Sequence, residues 1–498
     1  MGKFTDKTKI KIIVLADIHS AQNTNTQCPE RETKFADTLL LRAVNRINRY
    51  LKPDITLLLG DFVDDSDSKE LEKIKDIINS LTCPWIALPG NHDGNTDRFF
   101  EIFPHLPDYL DIKGCRFIPF VDREQPGCNA VRSKSDIRRM ESLAKNFNGP
   151  VVTCHHVPLF KPKTMDVSYN YINAEEIIST MCSCGITCSL AGHYHNGFIS
   201  RHQPFGTSIA CPALCEKPFR FLEIAIGESG KMSTNEHRLA MDKNLCLTDF
   251  HVHSRFAYCN ENMDFEKSLK LAELFNISRI FFTEHSSHLY FAKKDPERTH
   301  CLLPNYNLNQ HSPHLRFQNF LDAVSNYDKN QCGVGIEVDC GFDGRAIIRD
   351  KDIDKFDILF GALHSFPQTQ ITSKEAETMF RSMLAKFVQK FPMHVLAHPF
   401  RIFKRYNIDI DISNDLRAFV VKLLKKHSIA AEINFHTNEP SKKFFQMCLE
   451  EKVSIAFGSD AHNLYEIGEF YPHISFLKQI GADKEFALLK MENKIKSA

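Results

Sequence analysis

The chain has 498 residues, of which 43% are hydrophobic and 25% charged, enough for about two or three domains of roughly 150 residues. This composition excludes global disorder. Lys and Arg together number 62, as do Asp and Glu, so no overall positive field would attract duplex DNA. The sequence has no apolar run of membrane-spanning length and no signal-peptide core, and we expect a cytoplasmic protein without membrane association.

In the first half of the chain, apolar strand patterns that end in polar residues alternate with helical patterns. Residues 38–51 and 69–81 have the apolar spacing of helices. This β-α-β order predicts parallel strands whose carboxyl ends share one edge of a sheet. The strand patterns are KIIVLAD, ITLLLGD, WIALPGN, VVTCHH and TCSLAGHYH, at residues 11–17, 55–61, 85–91, 151–156 and 187–195.

The 16 cysteines are expected to be reduced thiols, because they lie inside strand and helix patterns of a long chain. Cys182, Cys184 and Cys188 have short spacings that a zinc site could use. Gly185, however, is typical of a helix C-cap, and the residues after it are typical of a strand. We therefore interpret these cysteines as packing residues.

Residues suited to bind metals end all five strands. Asp17 and His19 are two apart, so both side chains point to the same side of an extended backbone. Two divalent ions about 3.5–4 Å apart need a shared carboxylate, and Asp61 suits that position. Mixed Asp, Asn and His ligands favour Mn, Fe or Zn over calcium. The glycines before Asp61, Asn91 and His193 would let the backbone turn sharply.

Over about residues 9–226, these motifs resemble, in order, those of calcineurin-like metallophosphoesterases. The motifs are Asp17-x-His19, Gly60-Asp61-x-x-Asp64, Gly90-Asn91-His92-Asp93, His155, and Gly192 followed by His193 and His195. The resemblance implies an αββα sandwich with two divalent ions. One ion would take Asp17, His19, Asp61 and His195, and the other Asp61, Asn91, His155 and His193.

The same resemblance implies that water activated by the ions attacks phosphorus. His92 would act as the acid, a task that suits an imidazole titrating near 6.5, and Asp64 would orient rather than ligate. Either imidazole of the doublet His155-His156 could point inward from the strand end, and the family register favours His155. LPGNHD and His155-His156-Val157-Pro158 look most like the branch with cyclic-nucleotide and glycerophosphodiester phosphodiesterases, which also holds monoesterases and nucleases.

The pattern restarts near residue 240, and the second half contains seven strand patterns. Helical periodicity covers residues 264–276, 374–391, 414–427 and 441–452. Parallel strands with outer helices predict a barrel whose site lies at the carboxyl ends of the strands. We therefore predict domains at 1–240 and 246–498. The strand patterns are NLCLTDFH, RIFFTEH, GVGIEVD, DILFGALH, HVLAHP, AAEINFH and VSIAFGSDAH, at residues 244–251, 279–285, 333–339, 357–364, 394–399, 430–436 and 453–462.

Histidines and acids again end these strands, and residues 246–498 resemble the polymerase and histidinol phosphatase (PHP) family. That family has a distorted (β/α)7 barrel with two or three ions, here Zn, Mn or Fe. The resemblance implies one ion on His251, His253, Glu337 and Asp460, and a second on Glu337, His364 and His398. A third would use His285 and His462 with a residue shortly after the first motif.

Two features of this second set are open. Where the family often has another His or an acid, this chain has Cys259, which is as well explained by packing as by zinc ligation. Arg255, Arg345 and Arg401 lie near motifs and are candidates to bind phosphate oxygens through their planar forks. Each is also the kind of residue that forms surface ion pairs.

The leading hypothesis is a bifunctional metal-dependent phosphoesterase with two independent centres that act on nucleotides or other small phosphoesters. The first centre would open a diester, and the second would remove the remaining phosphate. One alternative is a nuclease for single-stranded nucleic acid, which the balanced charge and the single Trp do not favour. Another is a metal-stabilised scaffold or sensor in which one centre has lost catalysis.

Overall fold

A computed structural model describes residues 8–23, 27–145, 147–228, 231–406, 408, 412–482, 488 and 489. The chain divides into two units, Met1–Ala240 and Met241–Ala498, each with its own internal contacts. No helix of the described residues has both the length and the hydropathy needed to cross a bilayer. All 16 cysteines are free of disulfides.

Among the described residues, the first unit contains two mixed sheets, a two-stranded sheet and five α-helices. The strands are β1 Thr8–Leu15, β2 Ile55–Leu59, β3 Trp85–Leu88, β4 Leu110–Ile112, β5 Cys115–Pro119, β6 Arg123–Gln125, β7 Asn129–Val131, β8 Val151–Cys154, β9 Cys188–Ala191, β10 Phe198–Gln203, β11 Gly206–Ala210, β12 Arg220–Gly227 and β13 Met232–Arg238. The helices are α1 Ala36–Arg46, α2 Ser68–Ile78, α3 Thr96–Ile102, α4 Lys134–Lys145 and α5 Ala174–Cys184. One mixed sheet has the order β13-β12-β1-β2-β3, in which β1, β2 and β3 are parallel, the other has the order β10-β11-β9-β8-β5-β4, and β6 pairs with β7.

Apolar side chains of the two sheets form a shared core. Ile12 and Val14 of β1 belong to the same buried cluster as Val152 of β8 and Leu190 of β9. Helices α4 and α5 supply a second cluster against the other face of β5 and β8. The five predicted strands are confirmed as β1, β2, β3, β8 and β9, and α5 ends at Gly185, whose φ of 71° is the left-handed C-cap that its position predicted.

In the part of the second unit that the structure describes, seven strands follow one another in sequence order, each parallel to its neighbour. An isolated parallel bridge between Val252 and Ala461 joins the first strand to the segment after the last, so the sheet nearly closes into a barrel. All seven predicted strands and the four predicted helices (α6, α10, α12 and α13) are confirmed. The strands are β14 Thr248–Val252, β15 Arg279–His285, β16 Cys332–Asp339, β17 Ile358–Ala362, β18 Val395–Leu396, β19 Ala430–Ile433 and β20 Ile455–Phe457. The helices are α6 Phe265–Leu274, α7 Ser286–Tyr290, α8 Glu297–His300, α9 Leu315–Ser325, α10 Ser373–Lys390, α11 Arg401–Arg405, α12 Asn414–His427, α13 Lys442–Glu450 and α14 Tyr471–Gln479.

Candidate metal centres

Four imidazoles in the first unit turn one ring nitrogen outward to an acceptor and the other inward to a common point. A neutral imidazole that donates from one nitrogen presents a lone pair on the other, so the four rings in their neutral form can present four lone pairs to metal ions. The outward pairs are His19 Nδ1 with Asp64 Oδ1 at 3.0 Å, His156 Nδ1 with the Leu59 carbonyl at 2.7 Å, His193 Nε2 with the Cys128 carbonyl at 3.1 Å, and His195 Nδ1 with Glu216 Oε1.

The inward nitrogens form two close pairs, each near enough to share one proton or one metal ion. His19 Nε2 is 3.2 Å from His195 Nε2, and His156 Nε2 is 3.1 Å from His193 Nδ1. Asp61 Oδ2 lies between the pairs, 3.6 Å from His19 Nε2 and 3.3 Å from His156 Nε2. The donor set therefore fits two cations that share one carboxylate.

The titration of these groups reflects the same demand for positive charge. Burial alone would raise the pKa of Asp61, but the imidazoles, His156 above all, hold it well below its usual range. Conversely, burial opposes the charge on His156, yet Asp61 raises its pKa to about 10. Burial raises the pKa of Asp17, whose Oδ1 is 3.7 Å from His195 Nε2, to about 6.

The structure contradicts the choice of His155 over His156. His155 continues the strand pairing through its backbone N–H, and its ring contacts the Val157 carbonyl at 2.6 Å and Ser189 Oγ at 2.7 Å. Consecutive residues of an extended chain project to opposite sides. His156 therefore points to the centre, where its Nε2 is 3.1 Å from Asn91 Oδ1. The other predicted ligands, which the structure does bring together here, are Asp17, His19, Asp61, Asn91, His193 and His195.

Backbone strain and a buried carboxylate fix the strand ends. Asp17, His19, Asp61 and His193 have φ between 50° and 64°, a left-handed region that is uncommon for non-glycine residues. Asp93 accepts backbone N–H groups of residues 61, 62, 63 and 90 at 2.7–3.1 Å. This carboxylate ties the loop after β2 to the loop after β3.

The glycines before the ligands have two different roles. Gly60 has a φ of 89°, so it provides the turn that the sequence predicted. Gly90 and Gly192 do not have positive φ. A Cβ on Gly90 would lie 2.2 Å from Asp61 Oδ1. Position 90 therefore requires glycine because the Asp61 side chain approaches its backbone closely, and not because the chain turns there.

A cavity of about 450 Å³ opens onto this centre and is lined by His92, Arg31 and Glu216 among others. The N–H of His92 donates to Asp61 Oδ1 at 2.9 Å, and its Nδ1 lies 2.9 Å from the Asp64 carbonyl, so the ring is oriented from the backbone. Asp64 Oδ1 contacts His19 and Arg31 Nη1, which fits an orienting residue. Sequence patterns gave no signal for Arg31 or Glu216, since both lie in irregular segments.

In the second unit, Glu337 lies fully buried at the end of β16 among four imidazoles. Its Oε1 is 2.8 Å from His398 Nε2 and 3.1 Å from His364 Nε2. Its Oε2 is 2.6 Å from His285 Nδ1 and 3.6 Å from His251 Nε2. Although burial opposes it, His285 and the neighbouring imidazoles hold the pKa of Glu337 well below its usual range.

Asp460 forms the other side of this centre. Its Oδ1 is 3.0 Å from His253 Nε2 and 3.6 Å from His251 Nε2. Its Oδ2 accepts from Arg401 Nη1 at 2.5 Å and from Asn434 Nδ2 at 3.1 Å. Asp460 and His398 also have positive φ, 54° and 30°, like the ligands of the first unit.

Three imidazoles of the second centre are held from outside by carboxylates that sequence analysis missed. The only sequence cue was their position within one or two residues of a strand end. Such outer partners fix the ring and make its inner nitrogen a stronger donor. The pairs are His251 Nδ1 with Glu432 at 2.8 Å, His253 Nδ1 with Glu284 at 3.1 Å, and His364 Nδ1 with Asp339 at 2.7 Å.

Three buried polar atoms at this centre make no hydrogen bond of acceptable geometry among the described residues, although Glu337 Oε2 and His364 Nε2 lie within 3.1 Å of opposite charges. They are His251 Nε2, Glu337 Oε2 and His364 Nε2. Leaving such atoms unpaired in a protein interior is costly, and orphaned atoms that face one another require a ligand. This donor set fits divalent cations bridged by Glu337.

The structure leaves open which residues would hold a third metal ion at the second centre, as the sequence did. His253, His285 and His462 form one group of close donors, and Cys259, His285 and His288 form another. Cys259 Sγ is 3.6 Å from His285 Nε2, and burial raises the pKa of the thiol to about 12. A third ion on His285 and His462 therefore remains a prediction, and His288 is a further donor that the sequence did not indicate.

Of the three candidate phosphate-binding arginines, only Arg401 lines the cavity of about 630 Å³ at the mouth of the barrel. Arg345 uses Nη2 to hold the carbonyls of Cys301 and Leu303, at 3.1 and 2.8 Å. Arg255 is exposed and lies over the Phe265 ring. The structure thus places Arg255 and Arg345 outside the lining of this cavity, whereas Arg401 lines it.

Residues 10–197 match a protein-family model described as calcineurin-like phosphoesterase. A probable cyclic nucleotide phosphodiesterase of Synechococcus sp. is 28% identical over 168 residues, 32% of this chain and 65% of that protein. The chain thus spans less than two thirds of that relative. A probable cyclic nucleotide phosphodiesterase of Xenorhabdus bovienii is 23% identical over a region that covers 41% of this chain and 86% of that protein. A solved histidinol phosphate phosphatase from Lactococcus lactis has 17% identity over 47% of this chain and 94% of its own, with a TM-score of 0.31, too low to support an argument.

Proposed function

We propose that this chain, a hydrolase of phosphoester bonds whose residues 10–197 form a calcineurin-like phosphoesterase domain, carries two separate hydrolytic centres. The second centre would be that of a PHP-type barrel, the arrangement with which the nearly closed seven-stranded sheet is compatible. Each centre would hold two divalent ions of the Mn, Fe or Zn class, with a third ion optional in the barrel. The substrates would be nucleotides or other small phosphoesters.

The observation that carries this proposal is the convergence of side chains suited to bind metals in both units. In the first, imidazole nitrogens face each other at 3.1 and 3.2 Å around Asp61. In the second, buried atoms of His251, Glu337 and His364 make no hydrogen bond of acceptable geometry among the described residues. Packing gives no reason to gather such groups at strand ends, whereas a metal-dependent hydrolase requires them.

When bound, divalent ions supply Lewis acidity and lower the pKa of water. The chain's own residues would position the substrate and protonate its leaving oxygen. His92 faces the first cavity with its ring fixed by the Asp64 carbonyl, so it can give a proton to the leaving oxygen. Arg401 lines the second cavity and has donors for phosphate oxygens beside its contact with Asp460.

We assign phosphodiesters as the substrates of the first centre, and the names of the two relatives support this assignment. The second would remove the phosphate of the resulting monoester. Equal numbers of acidic and basic residues give no excess charge to hold a nucleic acid, so a nucleic-acid substrate is not favoured.

The test uses the full chain with Asp61→Ala and Glu337→Ala, assayed on cyclic nucleotides, diesters, nucleoside monophosphates and short oligonucleotides. Asp61→Ala should abolish diester hydrolysis and spare monoester hydrolysis, whereas Glu337→Ala should do the reverse. Loss of both activities in either variant would contradict independent centres. A protein that holds metal but hydrolyses none of these would be a scaffold or sensor. Activity on single-stranded DNA that falls steeply with salt, absent on mononucleotides, would indicate a nuclease.

A further inference from the structure

Arg31 is held at the rim of the first centre by a contact with Asp64, the carboxylate that also contacts His19. Its Nη1 is 2.9 Å from Asp64 Oδ1, the atom that also lies 3.0 Å from His19 Nδ1. The side chain is 15% exposed, and its backbone forms an antiparallel bridge with Glu216. The guanidinium is therefore tied to the same carboxylate that orients a metal-ligand imidazole.

Part of this guanidinium has no partner among the described residues. A guanidinium has five N–H donors in one plane, and Nη1 lies 2.9 Å from Asp64 Oδ1 and 3.3 Å from His19 Nδ1. The Nε is buried without a hydrogen-bond partner among the described residues. A buried donor in this state gains from a ligand oxygen, and the planar fork suits the oxygens of a phosphate.

The charged residues that line the cavity indicate which class of phosphoester it suits. Among the described residues that line it, Arg31 is the only Lys or Arg, while Glu30, Asp61 and Glu216 are acidic. A phosphodiester carries one negative charge, whereas a monoester at neutral pH carries nearly two. By contrast, the cavity of the second centre is lined by Arg298, Arg401, Lys404 and Arg405.

We infer that Arg31 is a substrate-binding residue of the first centre: its guanidinium holds one non-bridging oxygen of a phosphodiester monoanion, in a cavity whose carboxylates oppose the second negative charge of a monoester. This inference rests on the proposed function, because it presumes that the first centre hydrolyses phosphoesters. Asp64 acts as a positioning residue for the guanidinium.

The experiment uses full-length protein in a Glu337→Gln background, which silences the second centre with a near-isosteric change. Arg31→Gln removes the charge, Arg31→Lys keeps the charge without the fork, and Arg138→Gln is the matched control, since Arg138 is exposed on α4 and lines neither cavity. The readouts are kcat and KM on bis(p-nitrophenyl) phosphate and p-nitrophenyl phosphate, the inhibition constant of dimethyl phosphate, and the metal content.

We expect Arg31→Gln to lower kcat/KM on the diester about 10- to 100-fold, the effect of one charge-assisted hydrogen bond. KM and the dimethyl phosphate constant should rise at unchanged metal content, and the Glu337→Gln parent should prefer the diester to the monoester. Arg31→Lys should recover part of the loss, and Arg138→Gln should change nothing. A parent that prefers the monoester, unchanged dimethyl phosphate binding in Arg31→Gln, or lost metal would overturn the inference. No hydrolysis by the Glu337→Gln parent would instead overturn the proposed function.

Discussion

The two centres share the same inner donors but differ in what stands behind their imidazoles. In the first unit, backbone carbonyls of Leu59 and Cys128 hold two of the four rings. In the second, the carboxylates of Glu284, Asp339 and Glu432 hold three rings. Backbone acceptors are set by the fold, whereas carboxylates add negative charge and can be removed by one substitution. The second centre should therefore bind cations more strongly and be more sensitive to changes outside its inner ligands.

The largest effect should separate an inner ligand from its neighbour in the chain. His156→Ala should lower hydrolysis by the first centre at least about 100-fold and reduce its metal content, because it removes a donor facing Asp61. His155→Ala should instead lower the free energy of unfolding by about 2–4 kcal/mol, since it leaves a cavity and unpairs Ser189. Metal analysis and urea unfolding of both variants distinguish the roles. Equal loss of metal in both would mean that His155 ligates.

A smaller effect should appear at the outer carboxylates. Glu432→Gln should weaken metal binding to the second centre about 10- to 100-fold, because it removes the charge behind His251 and loosens the contact with the His398 N–H. Titration of the apoprotein with zinc, with and without the substitution, measures this change. Glu451→Gln, at an exposed ion pair with Lys425, is the control and should have no effect. Unchanged zinc affinity in Glu432→Gln would show that the outer carboxylates contribute only to packing and not to metal binding.

The smallest effects should come from the arginines near the barrel. Arg401→Gln should lower monoester kcat/KM about tenfold or more, because it removes a cation from the cavity. Arg255→Gln and Arg345→Gln should change it less than about threefold, since neither lines that cavity. Arg345→Gln should still lower the free energy of unfolding by about 1–2 kcal/mol through its two lost carbonyl contacts. A tenfold activity loss in Arg255→Gln would return that residue to the site.

The sequence predicted the strands and their polar ends because parallel β-α-β patterns bring carboxyl ends to one edge. It did not separate His155 from His156, since a shift of one residue in register exchanges the two faces of a strand. It also missed Glu432, which is 181 residues from the histidine it holds, because no spacing links distant partners. Arg31 lies in an irregular loop, where neither periodicity nor a strand end marks a residue.

The central claim is that one chain contains two independent multinuclear sites, and anomalous diffraction from crystals of the metal-loaded protein tests it most directly. The account predicts at least two anomalous peaks beside Asp61 and at least two beside Glu337, about four per chain. Crystals of Asp61→Ala should lose only the first set, and crystals of Glu337→Ala only the second. The absence of peaks at either carboxylate in fully loaded protein, or the loss of both sets in one variant, would contradict it.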